Sequence, residues 1–147
     1  MTQPARPRAI GINHVALDVG DLEAALEFYG AVFDFELREP APGMAFLDLG
    51  DQFLALSEGR SQPADESRHV GLVVDDKPRA RAALERAGAE ILPGEKLNFR
   101  DPWGNYVQVV DYREIQFVKA PEVARAMRLE LRKTPAALAE MRAKGFV

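Results

Sequence analysis

The chain has 147 residues, of which 47% are hydrophobic and 29% are charged, and its formal net charge is −4. This length fits one ordinary domain or two small modules that share a core. The absence of cysteine excludes disulfides, thiolate metal sites and a cysteine nucleophile. The negative net charge argues against non-specific nucleic-acid binding, and no apolar run is long enough to span a membrane. Because residues 1–8 lead into no apolar signal segment, we expect a cytoplasmic protein.

An internal repeat is the strongest pattern in the sequence. Residues 14–21 (HVALDVGD) correspond to residues 69–76 (HVGLVVDD), 55 positions later. Residues 46–56 correspond to residues 99–109, 53 positions later. Since the correspondence follows the same order of strand and helix patterns, we predict two copies of one small unit.

The first copy begins with apolar residues that alternate over residues 12–19, which is typical of a half-buried strand. Asp21 suits the N-cap of a helix that extends to Phe33. Three further strands complete a βαβββ order, at residues 35–39, 44–49 and 53–58.

The second copy repeats this order after a polar stretch. Pro78 suits the first turn of its helix, and Gly88 suits the position just after the helix ends. Its strands are predicted at residues 68–74, 90–92, 97–100 and 106–112. The predicted division of the chain is an N-terminal extension (1–9), a first module (10–58), a linker (59–67), a second module (68–113) and a C-terminal helical extension (114–147).

The C-terminal extension has no counterpart in the first copy. After Pro121 we predict a helix whose apolar stripe contains Val123, Ala126, Met127 and Leu131, and a last helix is predicted from the Thr134 cap to Gly145. The extension is locally basic, which we interpret as a solvated helix face. Two roles stay open for it: a cover packed on the sheet, or a contact in a dimer.

The two histidines of the chain both open the first strand of a copy. His14 and His69 lie on the strand faces away from the apolar stripes, and equivalent positions would converge if the copies packed about a pseudo-twofold axis. Two imidazoles in one cleft are a start to a divalent metal site. Gln108 lies on the same class of face in the last strand, whereas its repeat partner Ala55 can ligate nothing. The alternative is that both are ordinary surface histidines kept through the duplication.

Three segments of the chain resemble the vicinal oxygen chelate superfamily, which includes glyoxalase I, fosfomycin-resistance enzymes, extradiol dioxygenases and bleomycin-resistance binding proteins. They are residues 12–33, 68–74 and 99–109, and the last of them contains an Asp-Pro-x-Gly-Asn motif at residues 101–105. The resemblance covers about residues 10–112. It implies an α+β fold of tandem βαβββ modules, which form curved mixed sheets around a cleft and carry a C-terminal helical extension.

The resemblance also implies positions for a metal site, because metal-dependent members of the superfamily place ligands on the first and last strands of each module. Those positions are His14, Ala55, His69 and Gln108 here, which leaves His14, His69 and Gln108 as metal ligands. A carboxylate would neutralise one charge of a divalent ion, whereas glutamine neutralises none, so the expected affinity falls. The incomplete ligand set disfavours an extradiol dioxygenase. This ligand set is compatible with one bound Zn, Mn or Ni ion, and it is equally compatible with a protein that binds no metal.

Two functions therefore stay open. The first is a glyoxalase-like, metal-dependent lyase, isomerase or transferase that acts on a small oxygenated substrate, with no catalytic residue assigned. The second is a metal-free small-molecule binding protein of the bleomycin-resistance type. In both cases we expect a small-molecule ligand and a homodimer, without nucleic acid or membrane. The predicted substrate cleft is lined by aromatic side chains, with core packing as the competing role for at least half of them: Phe46, Phe53, Phe99, Trp103 and Tyr106.

Overall fold

The computed structural model describes residues 5–147, and its strands form two separate four-stranded sheets. The first four residues of the predicted N-terminal extension lie outside the described residues. Each sheet is built from one copy of the repeat, and each copy has the order strand, helix and three strands. The predicted α+β architecture of tandem βαβββ modules is therefore confirmed.

The first copy forms β1 (His14–Val19), α1 (Leu22–Val32), β2 (Glu36–Leu37), β3 (Met44–Asp48) and β4 (Phe53–Glu58). Its strand order is β1-β4-β3-β2, with β1 parallel to β4 and the other neighbours antiparallel. α1 begins where predicted, because the Asp21 carboxylate accepts a hydrogen bond of 2.7 Å from the N–H of Ala24.

The second copy forms β5 (His69–Val74), α2 (Lys77–Arg86), β6 (Glu90–Ile91), β7 (Leu97–Arg100) and β8 (Tyr106–Asp111). Its strand order, β5-β8-β7-β6, repeats that of the first sheet. Asp76 caps α2 by accepting a 2.9 Å hydrogen bond from the N–H of Arg79. Gly88 follows the helix with a φ of +67°, the left-handed conformation that favours glycine at this position.

The strand registers define which positions of the two sheets are equivalent. Phe46 pairs with Ala55 in the first sheet, and Asn98 pairs with Gln108 in the second. Phe46 is therefore equivalent to Asn98, whereas the sequence comparison set it against Phe99. This one-residue difference places Phe46 half-buried on the outer side of its sheet and Phe99 fully buried in the core.

One hydrophobic core joins the inner sides of both sheets to both helices. On β1 the side chains of Val15, Leu17 and Val19 contribute to it, as does the corresponding alternating set on β5. The outer sides of the sheets are turned away from this core. We call them the first open face (His14, Ala16, Phe46, Phe53 and Ala55) and the second open face (His69, Gly71, Asn98, Tyr106 and Gln108).

Buried hydrogen bonds also fasten the two copies together. The Tyr29 hydroxyl of α1 donates a 2.8 Å hydrogen bond to Asp101 of the second copy. Asn105 donates through Nδ2 to the main-chain oxygen of Asp18 at 2.9 Å, and its Oδ1 accepts a hydrogen bond from Arg60. The inner sides of the sheets are thus held in a fixed relation.

A 3₁₀ turn (Tyr112–Glu114) leads from β8 into the C-terminal extension, which contains α3 (Pro121–Ala126) and α4 (Pro135–Ala143). The prediction of one apolar helix stripe reaching Leu131 is wrong, because α3 ends at Ala126 and the chain turns through Arg128 with a φ of +58°. α4 is capped by Thr134 as predicted. None of the helices within residues 5–147 is long and apolar enough to cross a bilayer.

Candidate metal and ligand site

His14 lies exposed on the first open face with its ring orientation fixed from two sides. Its Nδ1 lies 2.9 Å from the side-chain oxygen of Asn13, and its ring stacks on Phe53 with centroids 4.7 Å apart and planes 7° from parallel. Because an amide oxygen only accepts hydrogen bonds, Nδ1 carries the ring proton. The remaining nitrogen, Nε2, is left with a lone pair.

His69 lies exposed at the equivalent position of the second open face. Its Nδ1 donates to the main-chain oxygen of Ser67 at 2.8 Å, and its ring lies 5.1 Å from that of Tyr106. Both histidines therefore have the same tautomer, with a lone pair on Nε2. This arrangement, with the second nitrogen held by an oxygen, is the one that metal-binding histidines adopt.

Gln108 is the third predicted ligand, and it lies half-buried on the second open face. It pairs directly with Gly71 on β5 and with Asn98 on β7. A Cβ atom at Gly71 would meet no atom within 4 Å, so the space beside Gln108 is open. His69 lies two residues before Gly71 on the same face, which places these two candidate ligands as neighbours.

The third candidate, His14, belongs to the other sheet. His14 belongs to the first open face, whereas His69 and Gln108 belong to the second, and both faces are turned away from the shared core. Within residues 5–147, no group of three or more histidine, aspartate or glutamate side chains is arranged to hold a metal ion. One copy of the chain thus presents two parts of the predicted ligand set on two surfaces.

The five predicted cleft residues also divide between surface and core. Phe46 and Phe53 meet edge to face on the first open face, with centroids 5.7 Å apart, and Tyr106 lies on the second. Phe99 is fully buried and contacts the rings of Phe28 on α1 and Phe33 just after it, so it belongs to the core. Trp103 packs half-buried against the same core.

An arginine–carboxylate pair lies beside each open face. On the first, the Arg38 guanidinium lies 4.5 Å from the Phe53 ring centroid and donates a 2.7 Å hydrogen bond to Asp48. Beside the second, Arg100 donates a 3.0 Å hydrogen bond to Glu90. Each of these two carboxylates is therefore held by an arginine.

A separate cleft of about 360 Å³ lies between the two copies and the C-terminal extension. Sequence reasoning missed it, because its walls come from segments far apart in the chain. It contains none of the predicted site residues. Its polar groups are largely engaged already, since Tyr29 binds Asp101 and Lys119 binds Asp51. The apolar wall residues include Val32, Phe33, Leu54, Leu72, Phe117 and Leu129.

Comparison with known proteins identifies the family. Residues 11–111 match the family model of the Glyoxalase/Bleomycin resistance protein/Dioxygenase superfamily. The chain belongs to this superfamily. The matched segment includes both open faces and all three candidate ligands of this glyoxalase-superfamily protein.

The relatives of this glyoxalase-superfamily protein include proteins named for fosfomycin resistance. Over 114 residues it is 28% identical to metallothiol transferase FosB from Shouchella clausii, covering 67% of this chain and 78% of that protein. FosX from Mesorhizobium loti is 20% identical, with a TM-score of 0.61 over 69% of this chain and 91% of its own. A FosX variant from Listeria monocytogenes, solved with Mn(II) and 1S,2S-dihydroxypropylphosphonic acid, is 18% identical, with a TM-score of 0.61 over 69% and 90% of the two chains. At these identities the two structures establish a common fold.

Proposed function

We propose that this protein is a divalent-metal-dependent transferase that acts on a small oxygenated substrate, with His14, His69 and Gln108 as its metal ligands. The observation that carries the proposal is the oxygen atom within hydrogen-bond distance of Nδ1 in each histidine, which leaves Nε2 as the nitrogen available to bind a metal. The names of its relatives, a metallothiol transferase and a FosX variant solved with Mn(II), support the same class of activity.

The donor set fits a borderline divalent ion. Imidazole nitrogens suit Zn and Ni, and the side-chain oxygen of Gln108 supplies a neutral third ligand of the kind that suits Mn. A bound ion would supply Lewis-acid polarisation of substrate oxygens. The chain itself holds the two imidazoles through Asn13 and Ser67 and supports one of them on Phe53.

The lack of a carboxylate in the ligand set favours transfer over isomerisation. Isomerisation by proton abstraction needs a protein base, and the proposed ligand set supplies no carboxylate for that role. Two of the carboxylates beside the open faces, Asp48 and Glu90, are also held by arginines. A thiol co-substrate is partly ionised near neutral pH and is intrinsically nucleophilic, so its attack needs no such base. We therefore expect a thiol or a similar nucleophile as the second substrate.

Two copies of the chain are needed to complete the proposed site. His14 of one copy and His69 with Gln108 of another meet only if the first open face of each copy packs against the second open face of the other. A twofold axis makes two identical sites of this kind. The exposed apolar side chain of Ile12, 69% accessible just before β1, gives this surface a further reason to pack.

Subunit complementation tests both the ligands and their origin. We expect wild-type protein to bind Mn(II) stoichiometrically by isothermal titration, and we expect His14→Ala and His69→Ala each to abolish binding. When the two variants are co-expressed with different tags, random association should restore about a quarter of the wild-type sites, because one intact site forms in each mixed dimer. Both histidines are exposed, so each variant should keep its unfolding free energy within about 0.5 kcal/mol of wild type.

Two results would contradict this proposal. Binding that survives both single substitutions would show that the metal is held elsewhere. Absence of binding in the mixed dimers, with wild type active in the same assay, would show that the site does not form between copies.

The aromatic character of the first open face favours a second candidate, a metal-free binding protein. Phe46, Phe53 and the overlying Arg38 form a surface suited to a flat organic ligand, and Ala55 supplies no metal ligand. A metal-free binding function would be supported if neither Mn(II) nor a chelator changes the melting temperature of the wild-type protein.

A further inference from the structure

The side chain of Asn98 has a buried oxygen that no hydrogen bond satisfies. Within residues 5–147, Asn98 Oδ1 is the one buried side-chain nitrogen or oxygen atom without a hydrogen-bond partner. A buried acceptor without a hydrogen bond lowers the stability of the fold. Its presence therefore suggests that the residue has a functional role. Asn98 lies on the second open face, outside the ligand set proposed above.

The position of Asn98 points to Gln108 as its partner. The two residues are directly paired on the antiparallel strands β7 and β8. Side chains paired in this way have Cβ atoms about 4.5–5.5 Å apart on one face, which is within reach of a hydrogen bond between two amides. On the other side Gln108 adjoins Gly71, whose missing side chain leaves the Gln108 amide free to rotate.

The two ends of the Gln108 amide make this contact useful. Its Nε2 group donates hydrogen bonds and its Oε1 accepts them or binds a metal, so the two ends must point in different directions. A hydrogen bond from Gln108 Nε2 to Asn98 Oδ1 satisfies the buried acceptor. It also turns Gln108 Oε1 away from Asn98, toward the open side of the face.

The first sheet shows that this pair is not a requirement of the fold. At the equivalent positions it has Phe46 and Ala55, which are also directly paired but contain no polar group. The same backbone therefore accepts an apolar pair. The amide pair occurs only in the sheet that contributes Gln108.

We propose that Asn98 is a positioning residue, which accepts a hydrogen bond from Gln108 Nε2 and thereby presents Gln108 Oε1 to a divalent metal ion. This inference rests on the proposed function, since it assigns a role in the same site. Asn98 does not touch the metal or the substrate. It supplies to a glutamine ligand the orientation that a symmetric carboxylate ligand would not need.

Replacing Asn98 by leucine tests the inference against a merely structural role. The Asn98→Leu variant removes the acceptor at similar volume, so we expect Mn(II) affinity to fall about tenfold or more, as for other groups that orient metal ligands. The melting temperature of the metal-free variant should stay close to that of wild type, because leucine removes a buried polar group and the half-buried Gln108 amide can donate to water instead. The Asn98→Asp variant keeps an acceptor in place and should bind at least as tightly as wild type.

A double-mutant cycle with Gln108→Glu isolates the pair. A carboxylate presents an oxygen in either orientation, so Asn98→Leu should weaken Mn(II) binding much less in the Gln108→Glu background than in wild type. Equal weakening in both backgrounds, or a lower melting temperature for metal-free Asn98→Leu, would overturn the inference. Unchanged affinity in Asn98→Leu would overturn it alone, whereas absence of Mn(II) binding by the wild type would overturn the proposed function and this assignment together.

Discussion

The two open faces have the same backbone and different chemistry. Where the first sheet pairs Phe46 with Ala55, the second pairs Asn98 with Gln108. Each sheet keeps one histidine at the start of its first strand, and in both the imidazole lies beside an aromatic ring. Duplication thus preserved the position of one candidate ligand while the central pair of side chains diverged.

This divergence gives the two faces unequal parts in the proposed site. The first open face contributes one nitrogen ligand and an aromatic surface. The second contributes a nitrogen ligand, an oxygen ligand and the group that orients it. An unequal division of this kind is possible because a site formed between two copies uses one face of each type.

The largest difference between the two faces is expected when the equivalent residues Ala55 and Gln108 are exchanged and the unfolding free energies of the two variants are compared. Ala55 is only 2% exposed between its paired neighbours Ala16 and Phe46, so the longer side chain of Ala55→Gln must displace them and should lower the unfolding free energy by about 1–3 kcal/mol. Gln108→Ala removes a half-buried side chain beside open space and should change it by less than about 0.5 kcal/mol. Urea unfolding of the two variants measures both values, and equal losses would show that the faces are packed alike.

Much of each module could be predicted from its own sequence, because the relevant signals are local. The caps at Asp21 and Thr134 act on amides three residues away, and the structure confirms both. Alternation on β1 and β5 likewise identified which residues share a side of the sheet. The sequence comparison aligns Phe46 with Phe99, although Phe46 is structurally equivalent to Asn98. The sequence does not reveal this one-residue shift, because either alignment is compatible with a strand.

The relation between the modules could not be read from the same signals. The alternation of apolar and polar residues shows that each sheet has an inner side, but it does not show which sheet surfaces meet. The convergence of His14 and His69 within one chain therefore stays a prediction. The structure instead joins the inner sides through ties such as that between Tyr29 and Asp101. Tyr29 and Asp101 are 72 positions apart, and the sequence has no local pattern that marks a contact at this separation.

The C-terminal extension was hardest to predict, because its apolar and basic residues contact distant segments. Met127 lies beyond the end of α3 yet packs close to Gly50, where a Cβ atom would come within 2.6 Å of its sulfur. Lys133 is not on a solvated face: its ammonium donates to the main-chain oxygens of Tyr112, Ile115 and Phe117. Burial lowers the pKa of Lys133, as expected for an ammonium group removed from water.

The carboxylates at the ends of the last strands offer a second test of the comparison. Asp111 on β8 accepts a 3.1 Å hydrogen bond from the N–H of Lys77 at the start of α2, and Glu58 on β4 does the same for Leu22 of α1 at 3.0 Å. Asp111 is buried and also binds Arg113, whereas Glu58 is exposed. At pH 7 we expect Asp111→Asn to cost about 2 kcal/mol and Glu58→Gln less than about 0.5 kcal/mol.

The pH dependence of these variants follows from the Asp111 pKa. The hydrogen bond from Arg113, helped by the N–H groups of Lys77 and Arg113, holds that pKa well below its ordinary value of 3.8. A carboxyl group with a depressed pKa in the folded state stabilises the fold above its unfolded pKa, and this contribution is lost as the pH falls below about 4. The difference between wild type and Asp111→Asn in urea unfolding should therefore narrow from pH 5 to pH 2. If the difference in unfolding free energy stayed constant over this pH range, the destabilisation in Asp111→Asn would come from altered packing and not from the loss of the charge.

A smaller effect than that of Ala55→Gln or Asp111→Asn is expected from removing a single hydroxyl that distinguishes the two helices. Tyr29 on α1 and Leu84 on α2 occupy equivalent positions, and both are fully buried. Burial, followed by the charge of Asp101, raises the pKa of Tyr29 well above its usual value, so its hydroxyl remains a donor to Asp101. Asp101 keeps other donors, among them the N–H groups of Trp103 and Asn105. Tyr29→Phe should therefore cost only about 1 kcal/mol.

The matched control for this change is Tyr106→Phe on the second open face, where the hydroxyl makes no hydrogen bond within the described part of the chain. Thermal unfolding should place Tyr29→Phe about 2–4 °C below wild type and leave Tyr106→Phe unshifted. If both variants have the melting temperature of wild type, the hydrogen bond from Tyr29 to Asp101 does not contribute to stability. Apolar packing would then account for the association of the two copies. If Tyr29→Phe falls much further, the hydroxyl anchors the whole Asp101 turn, and the junction between the copies depends on that turn more than on the shared core.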